Sequence, residues 1–284
     1  MRFNTSFRTS LVAAGGFLVS ANAAAISLSD LGLSESQQRA LARIASAPAT
    51  APGIVAGSPV GFGAQWGELF AAVGGVTTPD GSPDDVDGAM SVGFGLGDAY
   101  KYFGFETTAS IISLTSDNGA NDSDSFGSDG ALNFKLHTIL PGALAVAVGV
   151  ENVARWGEAA DGPAAQSSAY VVGTKFFSVG QSGMPLAVNF GVGDNRFVDP
   201  APGVPGGALG VGDDGVSAFG GLALSPHPQV SLIADWTGRD LNTGVSLVPL
   251  RRVPLTLSLI AVSVTERNDG ETEFGGSLGY SYRF

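Results

Sequence analysis

From residue 60 to the end of the chain, apolar and polar positions alternate with a period of two. The last stretch shows it most plainly. Phe274, Gly276, Leu278, Tyr280, Tyr282 and Phe284 share one face, and Glu273, Gly275, Ser277, Gly279, Ser281 and Arg283 share the other. Successive side chains of a strand point to opposite faces. An apolar outer row over a small or polar inner row is the pattern of a strand embedded in lipid. A half-buried strand of a soluble sheet alternates in the same way, but it would not usually end on an outward Phe behind two outward tyrosines.

The same alternation predicts twelve strands, over 64–75, 88–96, 102–114, 130–140, 143–154, 167–177, 185–193, 216–225, 229–236, 240–249, 254–265 and 272–284. Their connections sort by parity. Four of the even-numbered ones are short, at 97–101, 141–142, 226–228 and 250–253, and 178–184 is intermediate. The first four odd-numbered ones, 76–87, 115–129, 155–166 and 194–215, are longer and acidic or rich in Gly and Pro; 237–239 and 266–271 are short. A barrel with both termini on one side needs tight turns on that side and tolerates long loops on the other, whereas a sandwich has no reason to sort its loops. The fold class predicted is all-β, a transmembrane antiparallel up-and-down barrel of about twelve strands with a short N-terminal helix and linker.

Composition narrows the field. A formal charge of −12 argues against nucleic acid, whose phosphates need clustered cations. The absence of cysteine removes disulfides, thiolate zinc sites and iron–sulfur clusters. Beyond the first residues there is no apolar run long enough for a spanning helix. An apolar, glycine-rich chain without such a helix leaves the closed barrel as its route across a membrane.

The N-terminus has the layout of an export signal. Arg2 and Arg8 precede an apolar stretch from Leu11 to Val19, and Ala21-Asn22-Ala23 offers a cleavage site. The expected organisation is a signal peptide over 1–23, a periplasmic extension and linker over 24–59, and the barrel over 60–284. Within the extension, Ser34 and Gln37 have capping-box spacing ahead of a short helix at 38–45. Residues 47–59, rich in Ala, Pro and Gly, read as a linker, with a plug as the alternative.

On the inner rows the strand assignment places Glu106, Lys135, Glu151, Lys175, Asp235, Glu273 and Arg283 as pore-lining residues, with Glu68, Asn133 and His137 beside them. Glu106 and Lys135 fall at similar heights on adjacent strands, where a low dielectric favours pairing. Trp66, Tyr100, Tyr102, Tyr280, Tyr282 and Phe284 fall at the lower strand ends, and Trp156, Tyr170 and Trp236 near the upper ends, as interfacial rings would. The upper connections are acidic, with Asp80, Asp84, Asp85 and Asp87 in the first, so a mouth of one sign would favour cations or neutral solutes over anions. Tyr280, Tyr282 and Phe284 form the expected membrane-assembly signal for the barrel-assembly machinery.

Three motifs carry less. Asp122 and Asp124 imitate a calcium loop, but Phe126 and Asn133 stand where ligands are needed. Gly93, Gly95 and Gly97 lead into a strand and not a helix, so they are no dinucleotide loop. With His137 and His227 as its two histidines, the chain offers no Ser–His–carboxylate set that this topology would assemble. No catalytic residue, metal or cofactor is expected.

Several stretches carry a resemblance. Phe62–Gly67, Ser91–Asp98, Lys135–His137, Val148–Asn152 with Arg155–Gly157, and Leu232–Leu241 resemble a family of outer-membrane β-barrel proteins of photosynthetic and related bacteria, one with no assigned substrate. The resemblance implies a porin-like barrel in the outer membrane, and it marks Lys135, Glu151, Asp235 and Asp240 as candidates for an internal network. The function expected is a narrow channel for passive passage of small solutes or cations. The alternatives are a non-conducting structural or surface-interaction barrel, or an accessory of surface polysaccharide export. Outer-membrane lipid and small solutes or ions are the other expected partners.

Overall fold

A computed structural model describes residues 51–77, 86–111, 127–157, 166–198, 215–265 and 272–284. The signal peptide, the helix at 38–45, the loop holding Asp122 and Asp124 and most of the acidic upper connections lie outside the described residues. Twelve strands follow in order: β1 (Glu68–Thr77), β2 (Val86–Gly97), β3 (Gly104–Ile111), β4 (Gly130–Leu140), β5 (Leu144–Trp156), β6 (Ser168–Val179), β7 (Met184–Asp194), β8 (Val216–His227), β9 (Val230–Trp236), β10 (Leu241–Leu247), β11 (Leu255–Val262) and β12 (Glu273–Arg283). Each pairs antiparallel with its neighbours in sequence, and β1 pairs with β12, from Glu68 opposite Arg283 to Val76 opposite Gly275, so the sheet closes. Closure leaves no unpaired edge, the condition for crossing lipid with strands.

The parity of the connections is a property of the barrel. Residues 98–103, 141–143, 180–183, 228–229 and 248–254 join strands at the end where β1 starts and β12 stops, called here the lower end. The longer connections all lie at the upper end. Strand limits agree with the alternation to within a few residues, with β1 as the main exception. It begins at Glu68, not at residue 64. Phe62, Ala64 and Trp66 keep a two-residue rhythm, but Phe62 and Ala64 are buried inside the lumen.

Outward rows are apolar around the barrel. Leu69, Val92, Phe94, Leu136, Val148, Phe190, Leu222, Leu232, Leu259 and Phe274 are all exposed. A contiguous belt of this kind on a monomer marks contact with lipid or protein. Inward rows carry Ala, Ser, Thr and Gly, and among them the buried polar residues. The rings at the lower end are outward where expected: Trp66, Tyr102, Tyr282 and Phe284 are exposed, with the Trp66 and Phe284 rings edge to face at 6.4 Å. Tyr100 is half-buried against the luminal core. Burial there, with the Glu68 carboxylate nearby, pushes its phenol above the ordinary range. Tyr170 departs from expectation, since it lies on the inward row of β6 and is buried among Phe197 and Phe219.

One irregularity positions a functional residue. The β4–β5 register shifts between Leu132 and Phe134, and Asn152 takes φ 56°. Asparagine tolerates the left-handed region better than most residues. The Asn133 side-chain carbonyl accepts the Asn152 amide at 2.8 Å, so the bulge leaves no orphan donor. Glu151, one residue before, is thereby fixed on the inner face, buried.

Candidate functional site

The lumen is filled by the chain's own residues 51–65. Every residue of this segment is buried apart from Gly53, which is half-buried. It starts low, against Ser231 and Ser246, which are opposite each other near the lower ends of β9 and β10. It climbs to a corner at Gly57 near the upper end and descends across β7, β6, β4 and β3 to enter β1. Glycine at 57 is required by a φ of 142°, which side chains with a Cβ rarely adopt.

A ribbon without a sheet of its own must find partners for its main chain, because a buried orphan amide costs about 1–3 kcal/mol. The inner wall supplies them side chain by side chain. The Gly53 amide donates to Ser246 Oγ at 2.8 Å, and the Ser231 hydroxyl donates to the Gly53 carbonyl. At the corner, Asp235 Oδ2 accepts the amides of Ala56 at 3.0 Å and Ser58 at 2.8 Å, while Asn242 Nδ2 donates to the Ala56 carbonyl at 2.7 Å. Asn189 Nδ2 donates to the Pro59 carbonyl at 2.9 Å, and Thr174 Oγ1 accepts the Gly61 amide at 2.8 Å. Lower on the descent, Lys135 Nζ donates to the Phe62 carbonyl at 3.2 Å. Glu106 Oε2 accepts the Ala64 amide at 2.6 Å, and His137 Nε2 lies 2.9 Å from the Ala64 carbonyl. A carbonyl can only accept, so that nitrogen carries the proton.

Apolar contacts complete the seal. Ile54, Val55, Val60 and Phe62 are buried with Ala145, Phe176, Ala187, Ile233 and Ile260 of the wall, and the Phe62 and Phe176 rings are 5.6 Å apart. Burying such side chains stabilises by about 1.5–3 kcal/mol each. Close approach is made possible by glycine at two points. A Cβ at Gly61 would overlap the Ala145 main chain, and one at Gly95 would overlap that of Ala64 and Gln65. The small residues noted around Gly95 thus make room for the ribbon.

The upper mouth has its own closure. Just past β7, the 3-10 turn Asn195–Phe197 folds inward. Phe197 is fully buried and stacks on Phe219 with centroids 4.4 Å apart, edge to face with Tyr170 at 6.1 Å. Arg196 pairs with both oxygens of Glu151 through Nε and Nη2, and its Nη1 and Nη2 reach the Gly57 carbonyl at 3.4 Å. A bidentate pair of this kind is strong and directional.

The residues assigned to the lumen from sequence divide accordingly. Glu106, Lys135, Glu151, Asp235 and Glu273 are inward and buried. Glu106 and Lys135 are direct register partners, 3.1 Å apart. Arg283 is on the inner row at the lower rim, 3.8 Å from Glu68 and more than half exposed. Lys175 is not in the lumen. It lies on the outward row of β6 with Val171 and Phe177, its ammonium 5.6 Å from the Phe177 ring centroid. A lysine this close to the lower turn can lay its stem on the apolar surface and reach the interface with its charge. Glu151 is inward and paired with Arg196.

Residues 51–59, read as part of a linker with a plug as the alternative, lie in the lumen and not outside it, whereas Arg196, Thr174, Asn189 and Asn242 were not singled out by the sequence. One signal was there: from Ala45 to Gly67 the chain has no charged residue. An exposed linker is usually polar, whereas a charge-free stretch is one that can be buried.

No protein-family model matches the chain, and no curated protein matches it. Among solved structures it is similar to the outer membrane channel DcaP of Acinetobacter baumannii, at 9% identity over 76% of this chain and 96% of that one, with a TM-score of 0.28. It is also similar to Neisserial surface protein A, at 12% identity over 76% and 95%, and to the Yersinia pestis attachment invasion locus protein Ail, solved with the heparin analogue sucrose octasulfate, at 10% over 76% and 96%; the TM-score is 0.16 for each. Likenesses this distant carry no functional argument, and none assigns the chain to the family its motifs resemble.

Proposed function

We propose that this protein is an outer-membrane barrel that serves as a narrow passage for small solutes or cations and is shut at rest by its own residues 51–65. The observation that carries this reading is the division of labour in the lumen. A barrel built to be solid fills itself with the side chains of its own strands. Here the inner wall is mostly Gly, Ala, Ser and Thr with hydrogen-bonding groups, and a separate ribbon occupies the space between. Its contacts with the wall include many hydrogen bonds that water could replace if it withdrew.

Placement in the outer membrane is supported by the closed sheet, the apolar belt and the aromatic lower rim. With the exported N-terminus and the C-terminal strand at the lower end, that end faces the periplasm, and Tyr280, Tyr282 and Phe284 serve the assembly machinery.

A second reading, the non-conducting surface barrel, draws on the stacked Phe197 and Phe219 rings as an independent closure. Planar-bilayer recording of the full chain separates the two. Gly61→Val forces the ribbon away from the Ala145 main chain without altering the wall, so it should raise conductance steeply over a nearly silent wild type. Silence in correctly folded Gly61→Val and in Gly61→Val with Phe197→Ala would remove the channel reading.

A further inference from the structure

We infer that the lumen is a binding site for uncharged peptides of small residues, with residues 51–65 as its built-in occupant. This rests on the channel reading and names one class among the small solutes. The wall recognises the occupant chiefly through its main chain. Carboxylates accept amides, at Asp235 for Ala56 and Ser58 and at Glu106 for Ala64. Donors meet carbonyls, with Asn242 on Ala56, Asn189 on Pro59 and Lys135 on Phe62.

Two properties of this array select a ligand. Along the ribbon's main chain it sets acceptors against amides and donors against carbonyls in alternation, the order in which a peptide presents them. It also limits side-chain size, because the backbone passes so close to the wall at Gly61 that a Cβ would collide with Ala145. Phe62 reaches the pocket beside Phe176, so one aromatic residue can be accommodated there. Around Phe62 and Ala64 a charged side chain is disfavoured, since Glu106 is already matched by Lys135 and the added ion would be buried without a counter-charge there. Asp235 turns Oδ2 to the ribbon's corner, while its Oδ1 is buried beside Gly221 of β8 with no hydrogen-bond partner.

The test uses the full chain carrying Gly61→Val, which displaces the ribbon and leaves every wall group in place; Gly57→Ala serves as a milder second variant if the first folds poorly. Binding of a fluorescent synthetic peptide with the sequence of residues 51–65 is followed by anisotropy in detergent, independently of any current. Tight binding is expected, weakened on the order of a hundredfold when the amides equivalent to Ala56, Ser58 and Ala64 are N-methylated, because these donate to buried carboxylates. An oligosaccharide of equal mass should not compete. Equal binding of plain and N-methylated peptides, or no binding to folded barrels, overturns the inference. Current through Gly61→Val with no peptide binding would leave the channel reading standing alone, and peptide binding without current would leave the site and remove the channel.

Discussion

Glu106 and Lys135 face each other across β3 and β4, 3.1 Å apart, and each also bonds the same ribbon, Glu106 accepting the Ala64 amide and Lys135 donating to the Phe62 carbonyl. The pair is at once a staple of the wall and a clamp on the plug.

Breaking it from one side should be costly. Glu106→Ala leaves a buried ammonium short of its counter-charge, and the expected loss is about 3–5 kcal/mol. Urea unfolding in detergent micelles measures it. The double variant Glu106→Leu, Lys135→Met should be less harmful than the sum of the single changes, since it removes both charges together.

Asp235 holds the corner of the ribbon by two main-chain amides. Ser58 is fully buried there, so a cysteine placed at 58 should resist a membrane-impermeant maleimide. In an Asp235→Ala background its labelling rate should rise by about tenfold or more, as expected for losing hydrogen bonds to a charged group. Asp235→Asn, which keeps an acceptor, should fall between the two.

Lys175 provides a contrasting case. Because it faces outward beside Phe177, Lys175→Met should change stability by no more than about 0.5 kcal/mol and leave ion selectivity where it was. A shift in reversal potential would return Lys175 to the lumen.

At the seam, the Phe284 amide donates to the Gly67 carbonyl at 2.9 Å, and its ring meets Trp66. Deleting Phe284 removes the last rung joining β12 to the start of β1. The fraction of protein that shows heat-dependent gel mobility in isolated membranes should drop severalfold, while Trp66→Phe should be nearly neutral because it preserves the ring contact.

The barrel was legible because its signal repeats. Every strand alternates, and the tight lower turns recur at every second connection, so a misplaced residue at one strand end does little harm. The Glu106–Lys135 pair was legible for a related reason, as two charges counted from adjacent turns. A plug was legible only as the alternative to a linker, and its path through the lumen was not, because an irregular segment held by side chains has no period. Phe62, Ala64 and Trp66 even mimic the strand rhythm, which drew the start of β1 four residues too early. Lys175 was misassigned by parity alone. It sits where a lysine is admissible on either face, so its charge alone does not decide which way it points. Arg196 was read as part of an outer loop, and its role depends on a turn that bends into the mouth, which strand periodicity cannot foresee.

Occupation of the lumen by residues 51–65 is the central claim, and a cross-link tests it most directly. A Cβ built at Gly53 would lie 3.5 Å from Ser246 Cβ, within the span of a disulfide, and the natural chain has no cysteine to compete. The full chain with Gly53→Cys and Ser246→Cys, assembled in membranes and oxidised, should close this bond nearly completely, whereas Gly53→Cys with the outward Leu259→Cys should not. Current should be absent while the bond is closed. A folded barrel that leaves both thiols free, or conducts equally whether oxidised or reduced, would contradict the account.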